Sequence, residues 1–147
     1  MEIWLSPHLG FDFANARATI YGSGEKKISY ISLHNVADFA VAALSNPAAR
    51  NAVIELGGPE ALSPIEVVRV FEEIAGRTFE RQFVPEEALR TRKGGATNPV
   101  ELTFTDLTFT VAQGDSIDMS DTFKKFSVQP RSVREYAETV MSGATVQ

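Results

Sequence analysis

The stretch from Ile28 to Gly76 constrains this chain most, because it reads as strand, helix, strand and helix with hardly a residue between them. Val36, Phe39, Ala40, Ala43 and Leu44 follow the spacing of an amphipathic helix, and Asn46-Pro47 stops it. Asn51 to Leu56 is a short β-branched run broken by Gly57-Gly58-Pro59, the pattern of a buried strand. Ser63-Pro64-Ile65-Glu66 then combines a serine N-cap, a proline in the first helical position and a glutamate three residues after the cap. This predicts a helix from Pro64 to about Ala75, with Ile65, Val68 and Phe71 on its apolar stripe and Gly76 as its left-handed stop. Such alternation belongs to an α/β domain.

Only Met1 to Lys27 precede this stretch, and they hold no strand followed by a glycine-rich turn and a helix. A dinucleotide fingerprint requires that context. Met1 to Arg17 is instead loop-like and aromatic-rich, mixing Trp4, Leu5, Leu9, Phe11 and Phe13 with Pro7 and Gly10. Ala18 to Tyr21 and Ile28 to Ile31 read as the strands of a hairpin turned by Gly22-Ser23-Gly24, a turn with no helix dipole behind it to hold an anion. Downstream, Phe79 to Val84 alternates as a half-buried or edge strand. Pro85-Glu86-Glu87 opens a short helix that Gly94-Gly95 ends, and Asn98-Pro99 caps a longer one reaching toward Gln113. Threonine and phenylalanine fill that helix, so tertiary contacts must hold it. Asp121 to Phe126 and Ser132 to Met141 complete the helices. The expected organisation is one domain over residues 1–142 and a flexible tail over 143–147.

A net charge of -5 disfavours nucleic acid and anionic membrane surfaces, and the loose basic group Lys124, Lys125, Arg131 and Arg134 is interleaved with Asp121 and Glu135, as on a solvated face. The absence of cysteine excludes disulfides, thiolate metal sites and a cysteine nucleophile, which fits a reducing compartment. No apolar stretch approaches the roughly 20 residues of a membrane span, so the expectation is a cytoplasmic protein. His34 and Asp38 share a helix face, but with His8 as the only other histidine no metal site is expected, and the pair reads as helix-start polarity. No nucleophile elbow occurs, and no tyrosine stands four residues before a lysine. The glutamates from Glu55 to Glu73 read as capping or solvated residues rather than a catalytic pair. No catalytic residue is assigned. Trp4, His8, Phe11 and Phe13 form the one candidate pocket wall, apolar with a single polar tip; the alternative is that they pack under the sheet.

At this point the residues carry a resemblance. The strand leading into His34-Asn35-Val36-Ala37-Asp38 resembles the late strand and D-V-A helix of the NmrA-like group of atypical short-chain dehydrogenase/reductases. Val53-Ile54-Glu55-Leu56-Gly57-Gly58-Pro59, Leu62-Ser63, Glu66-Val67-Val68 and Phe83-Val84-Pro85-Glu86-Glu87 are similar to that family's following segments, so the resemblance runs from Met1 to about Met141. Two departures stand out: Asn35 occupies the position before Val where the family has an acid, and the family's opening G-x-x-G-x-x-G loop, which binds NAD(P)H phosphates, has no counterpart here. The resemblance implies an incomplete Rossmann-like fold, a small mixed sheet with a helical C-terminal cap, corresponding to the substrate-side part of the family beyond its mid-chain. It implies NAD(P)H as the family's cofactor and hydride transfer to a small carbonyl, quinone or similar acceptor as its ancestral role. It also makes Trp4, His8 and Phe11 the substrate-binding candidates, because the matching segment lies near the nicotinamide in the family. The competing expectation is a non-enzymatic module derived from such a reductase, self-associating as a homodimer or binding the missing N-terminal half.

Overall fold

In the computed structural model, which describes residues 1–95 and 97–143, three strands form one mixed sheet. Strand β1 (Phe11–Asp12) runs antiparallel to β2 (Arg17–Tyr21), with Phe11 opposite Ala18. Strand β3 (Glu80–Val84) lies parallel to β2 on its other side, with Arg17 opposite Glu80 and Tyr21 opposite Val84. The expected hairpin is therefore replaced. Gly22 and Gly24 both take positive φ, 74° and 75°, and turn the chain away from β2. The Gly22 N–H is taken by the Val84 carbonyl at 2.8 Å, and the Gly24 carbonyl accepts from Ile65 N–H at 3.2 Å. Ile28 consequently makes only isolated bridges, to Leu62 and Asp115. The expected strand over 51–56 is also absent: the run is there, but no neighbour accepts its ladder. The edge position expected for 79–84 is found in β3.

The helices follow their local signals. Helix α1 (Leu33–Ser45) is capped by Ser32, and α2 (Pro64–Ala75) carries the full Ser63/Glu66 capping box and stops at Gly76 with φ 63°. Helices α3 (Glu86–Gly95) and α4 (Pro99–Gln113) pair by an Arg90 guanidinium 5.3 Å over the Phe109 ring and a Lys93–Asp106 ion pair at 2.6 Å. The threonines of α4 are accommodated because the hydroxyls of Thr103, Thr105 and Thr110 donate to carbonyls four residues back, at 2.8, 2.8 and 2.9 Å. Helices α5 (Ser120–Lys125) and α6 (Val133–Met141) end the described chain; of the expected tail at 143–147, only Gly143 lies among the described residues.

Two apolar clusters result. The larger packs the sheet against α2 and α6 around Phe71, whose ring meets Phe11 edge-on at 4.8 Å. The smaller gathers Met119 and Phe126 around Phe39 of α1. Among the described residues no helix is long and apolar enough to cross a membrane.

Candidate functional site

Trp4, Leu5 and Leu9 cross the sheet end where β2 finishes, and they are held there by backbone bonds from Leu5 to Met1 and from Leu9 to Ser6. Tyr21, the last residue of β2, donates its hydroxyl to the Leu9 carbonyl at 3.1 Å. Beneath this segment is a small apolar cavity of about 30 Å³, walled by Trp4 and Phe11 on one side and by Ile20, Tyr30 and Val68 on the other. That is room for a water or two. Of the three substrate-binding candidates, the structure brings Trp4 and Phe11 together at the cavity, Trp4 half-buried and Phe11 buried, and sets His8 outside it, exposed on the single turn Pro7–Leu9.

The chemistry of this cavity is limited by its lining. Burial pushes the Tyr30 phenol well above the usual tyrosine range and raises Tyr21 as well. Both stay neutral at physiological pH. No carboxylate, imidazole or amine lines the space, and its only ionisable groups are the neutral phenols of Tyr21 and Tyr30.

A second, open hollow of about 660 Å³ lies where α1 begins, between His34, Asn35 and Asp38 on one side and Arg131, Glu138 and Thr139 on the other. His34 and Asp38 pair loosely at 3.7 Å, both solvent-facing, and among the described residues no group of three metal-ligating side chains exists. The residue whose role the sequence did not disclose is Asn35, buried at 3% exposure. Its Oδ1 accepts from Arg131 N–H and from the Ser32 hydroxyl, each at 2.8 Å. Its Nδ2 donates to the Gln129 carbonyl at 3.1 Å and to Asp38 at 3.3 Å. The amide thus uses two acceptances and two donations at once, which an acid in this position would not match. The signal was visible as the departure from D-V-A, but its purpose was not.

Helix N-termini are the usual seats for a pyrophosphate, and here each longer helix supplies its own anion or cap. In α1 the Leu33 N–H goes to the Glu2 carboxylate at 2.9 Å and Asn35 N–H to Ser32 Oγ at 3.0 Å. In α2 and α6 the carboxylates of Glu66 and Glu135 take the N–H groups of Ser63 and Ser132, both at 2.7 Å. In α4 Glu101 takes Thr97 N–H at 3.2 Å, and α3 opens on Glu86 and Glu87. The glycine turn after β2 is filled by protein: a Cβ on Gly22 would meet the Ala112 methyl at 2.9 Å, and one on Gly24 would meet Ile20 at 2.5 Å. The described residues do not fit a dinucleotide pyrophosphate.

Comparison with known proteins places this geometry. An isoflavone reductase homolog of Zea mays is 34% identical over 74 residues, 50% of this chain and 24% of its own length. The uncharacterized oxidoreductase YesF of Bacillus subtilis is 29% identical over 118 residues, 78% of this chain and 41% of its own. Among solved structures, an NADPH-dependent quinone oxidoreductase of Escherichia coli superposes with a TM-score of 0.68 at 17% identity, over 88% of this chain and 48% of that one. The leucoanthocyanidin reductase of Vitis vinifera, in binary complex with NADPH, gives 0.69 at 19% identity, over 84% and 46%. The fold is that of Rossmann-like NAD(P)-binding reductases, and the chain spans less than half the length of these relatives. With a model described as the NmrA-like family matching residues 15–137, the chain belongs to the NmrA-like family.

Proposed function

We propose that this chain is the substrate-side part of an NmrA-like NAD(P)H-dependent oxidoreductase or redox sensor, and that on its own it does not turn over NAD(P)H. The observation that supports the reading is the state of the helix starts: in a fold shared with NADPH-binding reductases, α1, α2, α4 and α6 each begin with a carboxylate bonded to a backbone N–H at or just before the first turn, and α3 carries Glu86 and Glu87 in its first turn. The cofactor, when bound to a complete reductase, supplies the hydride; no step of that transfer is assigned to these residues.

What this chain contributes is a wall. Phe11 is locked by Phe71 and by Phe79, whose ring lies 6.0 Å away, so Trp4 stands on a rigid base. Relatives are named for quinones and isoflavones, both flat oxygenated rings, and a half-buried indole suits such a face. His8, exposed on the adjoining turn, offers the polar tip for a ring oxygen. The substrate class is therefore a planar aromatic carbonyl or quinone.

Thermal unfolding of the purified chain tests both parts. Millimolar NADPH is expected to leave the midpoint unchanged, and absorbance at the nicotinamide band to show no NADPH oxidation with a soluble naphthoquinone; turnover by the isolated chain would overturn the reading. The naphthoquinone alone is expected to raise the midpoint of the native chain but not of Trp4→Ala. Equal shifts in the two would remove Trp4 from the site.

A further inference from the structure

Strand β3 ends the sheet and is bonded on one side only. The Glu80 N–H goes to the Ala16 carbonyl, and the Val84 carbonyl accepts from Gly22 N–H, each at 2.8 Å. In a parallel ladder, a residue that turns its N–H toward the partner strand turns its carbonyl there too, and the next residue turns both away. Glu80, Gln82 and Val84 therefore bond to β2, and Arg81 and Phe83 aim their backbone groups outward. Among the described residues nothing takes the N–H of either, and residues 80–83 are all exposed. Phe83, opposite buried Ile20 in the register, leaves half of its ring in solvent, at 50% exposure. Charges usually keep such an edge apart from other strands, but here both are already compensated within the chain. Arg81 meets Glu72 of α2 at 2.7 Å, and Glu80 meets Arg17 at 3.0 Å. An unpaired edge with its charges neutralised is a template for an added strand.

We propose that β3 is the contact between two copies of this chain, pairing antiparallel with itself about a two-fold axis at Gln82 so that the two sheets become one. A two-fold axis sets one patch against itself, which for a single edge strand means antiparallel pairing. Outward-facing residues must stand opposite one another to bond, and this leaves Arg81, Gln82 or Phe83 at the axis. Arg81 at the axis faces its own copy, a like-charge pair that destabilises a ladder. Phe83 at the axis sets Arg81 against Pro85, which has no N–H to give. With Gln82 at the axis, Arg81 of each copy stands opposite Phe83 of the other, and every outward N–H and carbonyl of Arg81 and Phe83 is used. The guanidinium then lies beside a half-exposed ring, Glu80 stands opposite Val84, and no like charges face each other. This complementarity is a property of the strand with itself, and it selects a second copy as the occupant. The net charge of -5 on each copy opposes the contact at low salt, and at about 0.1 M salt it is screened beyond about 10 Å.

The test is sedimentation velocity of the full chain at physiological salt, from micromolar to near-millimolar concentration, with amide-resolved hydrogen exchange by NMR at both ends of that range. A reversible monomer–dimer equilibrium is expected. At the high concentration the Arg81 and Phe83 amides are expected to exchange ~10-fold more slowly, while Gln82 and Val84, already bonded to β2, change less. Phe83→Pro removes an outward N–H without touching the β2 ladder, and Phe83→Lys keeps that N–H but sets a like charge against the partner's Arg81. Each is expected to weaken the dimer at least ~10-fold. Circular dichroism of the dilute variants reads folding, and the lysine variant keeps the comparison if the proline variant unfolds. A chain that stays monomeric throughout the range overturns the proposal. So does a dimer in which Arg81 and Phe83 exchange no more slowly, or one that Phe83→Lys leaves intact, since either result assigns the contact to another face.

Discussion

Replacing Asn35 by aspartate restores the acid of the family's D-V-A pattern, and the structure predicts that it damages this chain. The carboxylate would keep the two acceptances, from Arg131 N–H and the Ser32 hydroxyl, both 2.8 Å away. It would lose both donations, turning an oxygen toward the Gln129 carbonyl at 3.1 Å and another toward the Asp38 carboxylate at 3.3 Å. Leaving this part-buried carbonyl unpaired costs about 1–2 kcal/mol, toward the low end because Gln129 is solvent-facing. Two carboxylates at this separation repel by about 5 kcal/mol at an effective dielectric of 20, but Asp38 is 41% exposed, and solvent screening reduces that to about 1–2 kcal/mol. The sum is a loss of about 2–4 kcal/mol at neutral pH.

The pH dependence separates this account from a generic packing defect. Like charge and burial raise the introduced carboxyl's folded pKa above its unfolded value of about 3.9. The charge-dependent part of the penalty is therefore absent below that unfolded value, grows by about 1.4 kcal/mol per pH unit, and levels off above the folded pKa. Asn35→Ala loses all four side-chain bonds without introducing a charge, so its penalty of about 2–4 kcal/mol should be the same at pH 5 and pH 7.5. Urea titrations followed by the fluorescence of Trp4, the single tryptophan, and by circular dichroism give both penalties at both pH values. An Asn35→Asp variant as stable as the native chain at pH 7.5, or one equally damaged at pH 5, would refute the reasoning.

Phe71 is fully buried and contacts the rings of Phe11, Phe13 and Phe79; Phe71→Ala should cost about 3–5 kcal/mol in the same titration, and a loss below about 1 kcal/mol would mean the site collapses freely. Backbone and hydroxyl bonds from Ser63 and Ser132 hold the Glu66 and Glu135 carboxyls below their ordinary value of 4.5. Depressed carboxyls contribute stability that is present above the unfolded pKa and lost as pH falls through the folded one, so native stability should decline below about pH 4.5. The Glu66→Gln, Glu135→Gln pair should flatten that decline, and an unaltered acid limb would show that other groups govern it. Native-state hydrogen exchange should show α2, which is anchored by fully buried Val67 and Phe71, exchanging only on global unfolding. The last turn of α1, bare at Leu44, should open at lower free energy; equal protection would contradict the two-cluster description.

Elements whose causes are local were legible in the chain. Ser63, Pro64, Glu66 and Gly76 fix α2 from within a dozen positions, and the structure reproduces its bounds. Pairing was not legible, because β2 takes its parallel partner from Glu80–Val84 and no local pattern at Gly22-Ser23-Gly24 announces that. The run 51–56 shows the same limit from the other side: it has strand composition, yet a strand exists only where another accepts its hydrogen bonds. At the candidate wall, Trp4 and Phe11 were recognisable as apolar, but the cavity of about 30 Å³ depends on how tightly Tyr30 and Val68 close on them. Asn35 was hardest to read, since its partners Gln129 and Arg131 lie 94 and 96 positions along the chain.

Those long-range bonds give the start of α1 a part in the molecule larger than its length. Glu2, two residues before Trp4, holds the Leu33 N–H, and the Met1 amine reaches the Ile31 carbonyl, so the segment carrying the wall is tied to this point. Asn35 ties the Gln129–Arg131 segment, and through it the start of α6, to the same turn. Phe39, one turn further on, roots the smaller cluster, and the bare face of Leu33, Val41 and Leu44 continues along the same helix. The first turns of α1 therefore join the candidate wall, the C-terminal cap and the smaller cluster, while the Phe71 cluster supplies most of the buried core. A change at Asn35 acts on how these three parts are held together, and a change at Phe71 acts on whether the sheet has a core at all. Comparable losses of global stability at the two positions would thus have different local consequences, with the Trp4 wall loosened by the first before the sheet itself gives way.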